Sequence, residues 1–236
     1  MQLDGQVVLV TGANRGIGAA VARMTHVQGA TVVATARRPG ALDALQDELG
    51  ERCTPLVLDV CSETSVEGAF AEAVERHGRI DALVANAGIG RYGRLADFSL
   101  DDFDAVLATN LRGAFCCCRA AMRHMLPRRS GTIITIASVV GIKGYPEQAA
   151  YTASKHGVMG LTKSLAVEAQ EHDIRVSAVL PGGVDTDMVA EARPDLDRSI
   201  LIRPEDIAHT VCFLLGLPSS CAIDQIQVRR RRAAPF

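Results

Sequence analysis

The chain has 236 residues and a formal charge of −2, so neither a nucleic-acid surface nor an anionic membrane surface is implied. No apolar run reaches the roughly 18 residues needed to span a bilayer, and the opening M-Q-L-D-G-Q has no basic-then-apolar leader. With 48% hydrophobic residues, 4% aromatics and no Trp, one large aliphatic α/β domain over 1–236 is expected. Seven cysteines, an odd number, read as reduced thiols in a cytoplasmic protein. Cys116, Cys117 and Cys118 are consecutive and so diverge around a helix. They read as small packing residues, and no metal site is expected.

In chain order, residues 6–11 (Q-V-V-L-V-T) form a continuous apolar run, as in a strand covered on both faces of a parallel sheet. A glycine-rich turn, 12–18, leads to a helix over 19–27, ended by Gly29, and a second strand over 30–36. These make a βαβ unit. The alternation continues with a helix over 41–49, a strand over 53–59, and a helix from the N-cap Ser62 to about His77. Then come a strand over 80–85, a long helix from the Ser99–Asp102 capping box to near Pro127, and a strand over 131–137. A helix over 147–170, a strand over 174–180, a helix over 204–215 and a last strand over 223–228 complete the series. No linker or repeat interrupts it. The predicted fold is a Rossmann-type doubly wound sheet of seven parallel strands, order 3-2-1-4-5-6-7, with helices on both faces.

Two stretches carry chemistry. Tyr151 and Lys155, in Y-T-A-S-K, lie four apart on one helix face. A cation beside a phenol favours the phenolate and lowers its pKa from about 10. The pair also has a plain reading, a packed ring and a solvated amine. Gly12, Gly16 and Gly18 stand between a strand and a helix, where glycine lets a pyrophosphate approach backbone N–H groups at the helix N-terminus. Methyltransferases also use such turns. At the end of the second strand, where NAD enzymes carry an acid for the 2′-hydroxyl, stand Ala36, Arg37 and Arg38, and Arg15 lies in the turn. Guanidinium groups suit a 2′-phosphate, so NADP(H) is favoured over NAD(H), although solvated arginines would look the same.

Further motifs follow in order: T-G-x-x-x-G-x-G at 11–18, N-A-G at 86–88, Asn110, Ser138, Y-x-x-x-K at 151–155, and P-G at 181–182 with Thr186 beyond. With these the chain resembles the short-chain dehydrogenase/reductase family over nearly its whole length, including its 3-oxoacyl-carrier-protein reductase-like and carbonyl reductase-like members. The resemblance implies a catalytic tetrad. Ser138 donates to the substrate oxygen, Tyr151 exchanges its proton, Lys155 lowers the phenol pKa and binds the nicotinamide ribose, and Asn110 anchors a water that reloads Lys155. It further implies cofactor contacts at Gly12, Asn14, Arg15, Gly16, Ile17, Gly18, Arg37, Arg38, Asp59, Val60, Asn86, Ala87, Gly88, Tyr151, Lys155, Pro181, Gly182, Val184 and Thr186. Among these, Asp59 would receive the adenine amino group and Thr186 the carboxamide, although either could serve as a helix cap.

The resulting expectation is a carbonyl/alcohol oxidoreductase, with a non-catalytic dinucleotide-binding regulator or scaffold as the alternative. By the same resemblance it is a homodimer or homotetramer, paired through helices at 100–126 and 147–170. Residues 139–148 and 185–199 would contact a small-molecule carbonyl or alcohol substrate, and they name no compound. The segment from Thr186 to Arg203 is short, so its lid should be small. The ending departs from the family pattern: Arg229–Arg232 form a basic tail, 229–236, that could meet an acidic partner or only solvate a terminus.

Overall fold

The computed structural model describes residues 2–192 and 197–233. Strands β1 (Val7–Thr11), β2 (Thr31–Ala36), β3 (Cys53–Val57), β4 (Ala82–Ala85), β5 (Gly131–Ile136), β6 (Ile174–Pro181) and β7 (Gln225–Val228) form one sheet in the order β3-β2-β1-β4-β5-β6-β7, and every pairing is parallel. This is the expected topology. Alternate residues of the central strands face opposite layers. Val8, Val10, Val84 and Ile134 pack under α1 (Gly16–Val27), α2 (Asp43–Leu49) and, further along the chain, α8 (Pro204–Leu215). Leu9, Leu83 and Ile133 pack under α3 (Glu63–His77), with Phe70 fully buried, and under the helices that follow β4 and β5. Two-sided burial explains why these strands are uniformly apolar rather than alternating. Cys116–Cys118 pack within the second layer, as small core residues.

Several boundaries shift for local reasons. Helix α1 starts at Gly16 because the glycine turn feeds straight into it. The Ser62 hydroxyl caps α3 by accepting from the Ser65 N–H, as expected. Strand β3 ends at Val57, ahead of the turn in which the Asp59 carboxylate accepts from the Cys61 N–H at 3.0 Å.

The expected long helix ending near Pro127 is two helices. α4 (Leu100–Leu107), capped by Ser99, meets a π-helical turn, Ala108–Arg112, and α5 (Gly113–Met125) continues beyond it. Such turns put an extra residue into the helical ladder and turn the following side chains. Here the turn carries Asn110. The next helix, α6 (Ala149–Gln170), starts after the expected residue 147, because Glu147 has φ +64°, outside the right-handed helical region. Between β6 and α8 lies a short segment with α7 (Asp187–Ala192) and a 3₁₀ turn, Arg198–Ile200. Within the expected substrate segment 185–199, residues 193–196 lie outside the described set, as do residues 234–236 of the basic tail.

Candidate active site

The carboxyl ends of β1, β2, β4, β5 and β6 bring the singled-out residues to one edge of the sheet, where ligands bind in open α/β folds. At the first of these ends, Gly12 (φ +66°) and Gly16 (φ +55°) adopt backbone conformations that L side chains rarely take. A Cβ at Gly18 would stand 2.2 Å from the Gly12 carbonyl oxygen, so α1 can approach the turn only with glycine there. The N-cap residue of α1, Arg15, makes no side-chain cap, and the first turn holds no acid. Its leading N–H groups are thus left to an anion. Ile17 is partly buried against the core, Asn14 and Arg15 are exposed, and Arg37 and Arg38 are exposed just past β2.

Asn86 ties this turn to β4. Its Nδ2 donates to the Thr11 carbonyl at 2.8 Å and to the Gly12 carbonyl at 3.3 Å. The Thr11 hydroxyl oxygen in turn accepts from the Asn86 and Ala87 N–H groups, at 2.9 and 3.0 Å. Thr11 therefore positions the N-A-G loop, a role the motif alone did not indicate. Asp59 lies in the loop after β3 and Val60 is buried there, packed against Gly113 at the start of α5.

Past β5, Ser138 is nearly buried and its hydroxyl donates to the Pro181 carbonyl at 3.4 Å. Tyr151, on the first turn of α6, is half-buried, and Lys155, one turn on, is buried. The Lys155 Nζ donates to the Ile136 carbonyl at 2.9 Å and sits 5.7 Å from the Tyr151 ring centre. The Asn110 amide is fully engaged. Its Oδ1 accepts from the Ile89 N–H at 2.8 Å, and its Nδ2 donates to the Ile89 carbonyl and the Ser154 hydroxyl, both at 3.0 Å. Ser154 donates to the Tyr151 carbonyl at 2.7 Å. Gly88 faces this cluster: a Cβ there would lie 3.2 Å from Asn110 Oδ1 and 3.8 Å from Lys155 Nζ.

The charge balance differs from expectation. Burial, and secondarily the neighbouring Tyr92, push the Tyr151 phenol up, while the Ser138 hydroxyl works the other way. Burial also lowers the Lys155 amine to about 8. In the chain itself Lys155 therefore does not overcome the desolvation of the phenol, because its own charge is disfavoured by the same dry surroundings. Tyr92 was not singled out from the sequence. It meets Tyr151 edge-on, with ring centres 5.7 Å apart, and its own phenol is pushed up to about 12 by burial and by Glu191. The only sequence signal was a lone aromatic in a glycine-flanked loop.

Beyond β6, the Gly182 N–H donates to the Val228 carbonyl at 2.7 Å, and buried Val184 forms a bridge with Ile202. The Thr186 methyl lies 3.2 Å from where a Gly16 Cβ would stand, so this loop closes against the glycine turn.

A family model described as short chain dehydrogenase matches residues 6–197. The chain belongs to the short-chain dehydrogenase family. This makes it an oxidoreductase of the class that works on CH–OH and C=O groups with a dinucleotide. It is 38% identical to the 3-oxoacyl-(acyl-carrier-protein) reductase FabG of Thermotoga maritima over 238 residues, 96% of each chain. It is also 38% identical to that of Escherichia coli over 222 residues, 91% of each. Among solved structures it is similar to levodione reductase, with TM-score 0.87 and 32% identity over 95% of this chain and 96% of that one. A 3-ketoacyl-(acyl-carrier-protein) reductase from Brucella melitensis, complexed with NADH, matches with TM-score 0.90 and 29% identity over 98% and 99%. The two structures share the Rossmann-like fold of this short-chain dehydrogenase. In the described part of the chain, no helix is long and apolar enough to cross a membrane.

Proposed function

We propose that the chain is one NADP(H)-dependent oxidoreductase domain that interconverts a ketone or aldehyde and the corresponding alcohol, with Tyr151 as general acid and base. The observation that carries this reading is the meeting of Ser138, Tyr151 and Lys155 at the carboxyl edge of β5, on the same edge as the uncapped N-terminus of α1. The names of the similar proteins, reductases of oxoacyl groups and of levodione, agree with a carbonyl substrate. The site's residues fit a dinucleotide: an uncapped helix start for a pyrophosphate, and Arg15, Arg37 and Arg38 around it in place of the acid that suits NAD. When bound, the nicotinamide supplies or accepts the hydride.

The protein's own groups handle the oxygen and the proton. Ser138 donates a hydrogen bond to the carbonyl oxygen as negative charge develops on it. Tyr151 gives its proton to that oxygen in reduction and takes one in oxidation. Lys155, with a pKa near 8, is mostly charged at neutral pH, and its field opposes the burial that keeps the phenol protonated. Asn110 acts by position: its amide holds the Ile89 loop and, through Ser154, the main chain at Tyr151. It has no direct hydrogen bond to Lys155, whose amine turns to Ile136. A proton relay linking the two must therefore pass through an intervening group.

The same reading makes the protein a cytoplasmic homodimer or homotetramer. Exposed Leu100 and Phe115, and an apolar groove lined by Leu107, Leu111, Phe115 and Leu161, supply a face on α4, α5 and α6 suited to self-association. Residues 229–236 are read as a basic tail, from the Arg229–Arg232 run. Function is tested by following NADPH oxidation with activated diketones and ketoesters, comparing wild type with Tyr151→Phe. Turnover that is lost in the variant while NADPH still binds is expected. Firm dinucleotide binding with no turnover on any carbonyl would replace this reading with that of a regulator.

A further inference from the structure

We infer that Asp187 is a specificity-determining residue for the cofactor: it competes with a 2′-phosphate for the Arg15 guanidinium and so sets how far NADPH is preferred over NADH. The inference rests on the NADP(H) reading above. Arg15 is the N-cap of α1, in extended conformation, and its side chain leaves the glycine turn to meet the first residue of α7. Its Nη1 donates to Asp187 Oδ2 at 2.9 Å. The carboxylate is exposed, but the main chain that leads to it is anchored. The Asp185 N–H donates to the Ile202 carbonyl at 2.8 Å, Val184 bridges to Ile202, and Arg198 pairs with Asp185 at 2.6 Å. The next residue, Thr186, is seated against Gly16. Asp187 is thereby presented to Arg15 from a fixed base.

A guanidinium can pair with a carboxylate or a phosphate through the same fork of donors, so a group that holds one is less available to the other. Among the described residues Arg37 and Arg38 meet no carboxylate, whereas Arg15 is contested. Both partners of the Arg15–Asp187 pair are largely exposed, at 63% and 61%, so the competition tunes affinity and does not block it. NADH has no 2′-phosphate, and its binding should not register the competition.

The test is a double-mutant cycle on NADPH and NADH dissociation constants with wild type, Asp187→Asn, Arg15→Ala and the double variant. Asp187→Asn should tighten NADPH about two- to five-fold, the range an exposed ion pair spans. NADH should be unchanged, and the gain should shrink at high salt. In the Arg15→Ala background the Asp187 substitution should do nothing. NADPH affinity that is unchanged or weaker in Asp187→Asn, or that shifts together with NADH, alongside a selective NADPH loss in Arg15→Ala, overturns the inference alone. If Arg15→Ala weakens both nucleotides equally, the NADP(H) reading of Arg15 falls and the inference falls with it.

Discussion

At the centre of the cleft, Asn110, Ser138 and Lys155 are at most 9% exposed, and each of these three side chains is tied to backbone. At its rim, Arg15 and Asp187 face solvent and hold each other. Buried polar groups lose heavily when a partner is removed, because the orphan cannot turn to water. Exposed ions lose little, because water and salt replace the partner. The centre should therefore fix catalytic geometry, and the rim should set nucleotide preference by small margins.

The largest effect expected at the centre is on turnover. Tyr151→Phe should slow carbonyl reduction by roughly 10²- to 10⁴-fold, the usual worth of a positioned acid or base. Next is stability. Asn110→Leu strands both the N–H and the carbonyl of Ile89 and removes a partner of Ser154. A loss of roughly 2–4 kcal/mol, read from denaturant midpoints, is expected. Wild-type stability in this variant would show that the centre is wetter than its geometry indicates.

The Lys155 amine has a folded pKa of about 8 against an ordinary 10.5. Between these values the unfolded chain holds the extra proton, so this group makes stability rise with pH across that window. Cys118 and Cys212, pushed up to about 12, and Tyr151, also raised, work in the opposite sense once their unfolded forms ionise. Lys155→Met retains only that opposing part. From pH 8 to 10 the wild type should therefore gain roughly 2–3 kcal/mol relative to the variant in chemical denaturation. A difference that does not change with pH would mean that the amine is not desolvated. The smallest shift is the few-fold change in NADPH affinity expected of Asp187→Asn at the rim.

This contrast also marks what could be read in advance. Strand order and the helix faces were legible because two-sided burial leaves unbroken apolar runs such as V-V-L-V-T in β1, and glycines punctuate them. Caps such as Ser62 were legible because they act within a few residues. The π turn at Asn110 was not, since Thr and Asn in A-T-N-L-R weaken or kink a helix without specifying an extra residue in its ladder. The turn is accompanied there by the pairing of Asn110 with Ile89, distant in sequence. Tyr92 against Tyr151, and Arg15 against Asp187, are likewise long-range contacts that no local pattern encodes. The upward push on Tyr151 was missed for the same reason: helical spacing brings Lys155 near but does not reveal how dry the pair is.

The most direct test is a crystal structure of the chain with NADPH bound. The account predicts the nicotinamide beside the Tyr151 hydroxyl and the Lys155 amine, with the pyrophosphate on the N-terminus of α1. A dinucleotide seated in the cleft with Tyr151 and Lys155 turned away, or out of its reach, would contradict it.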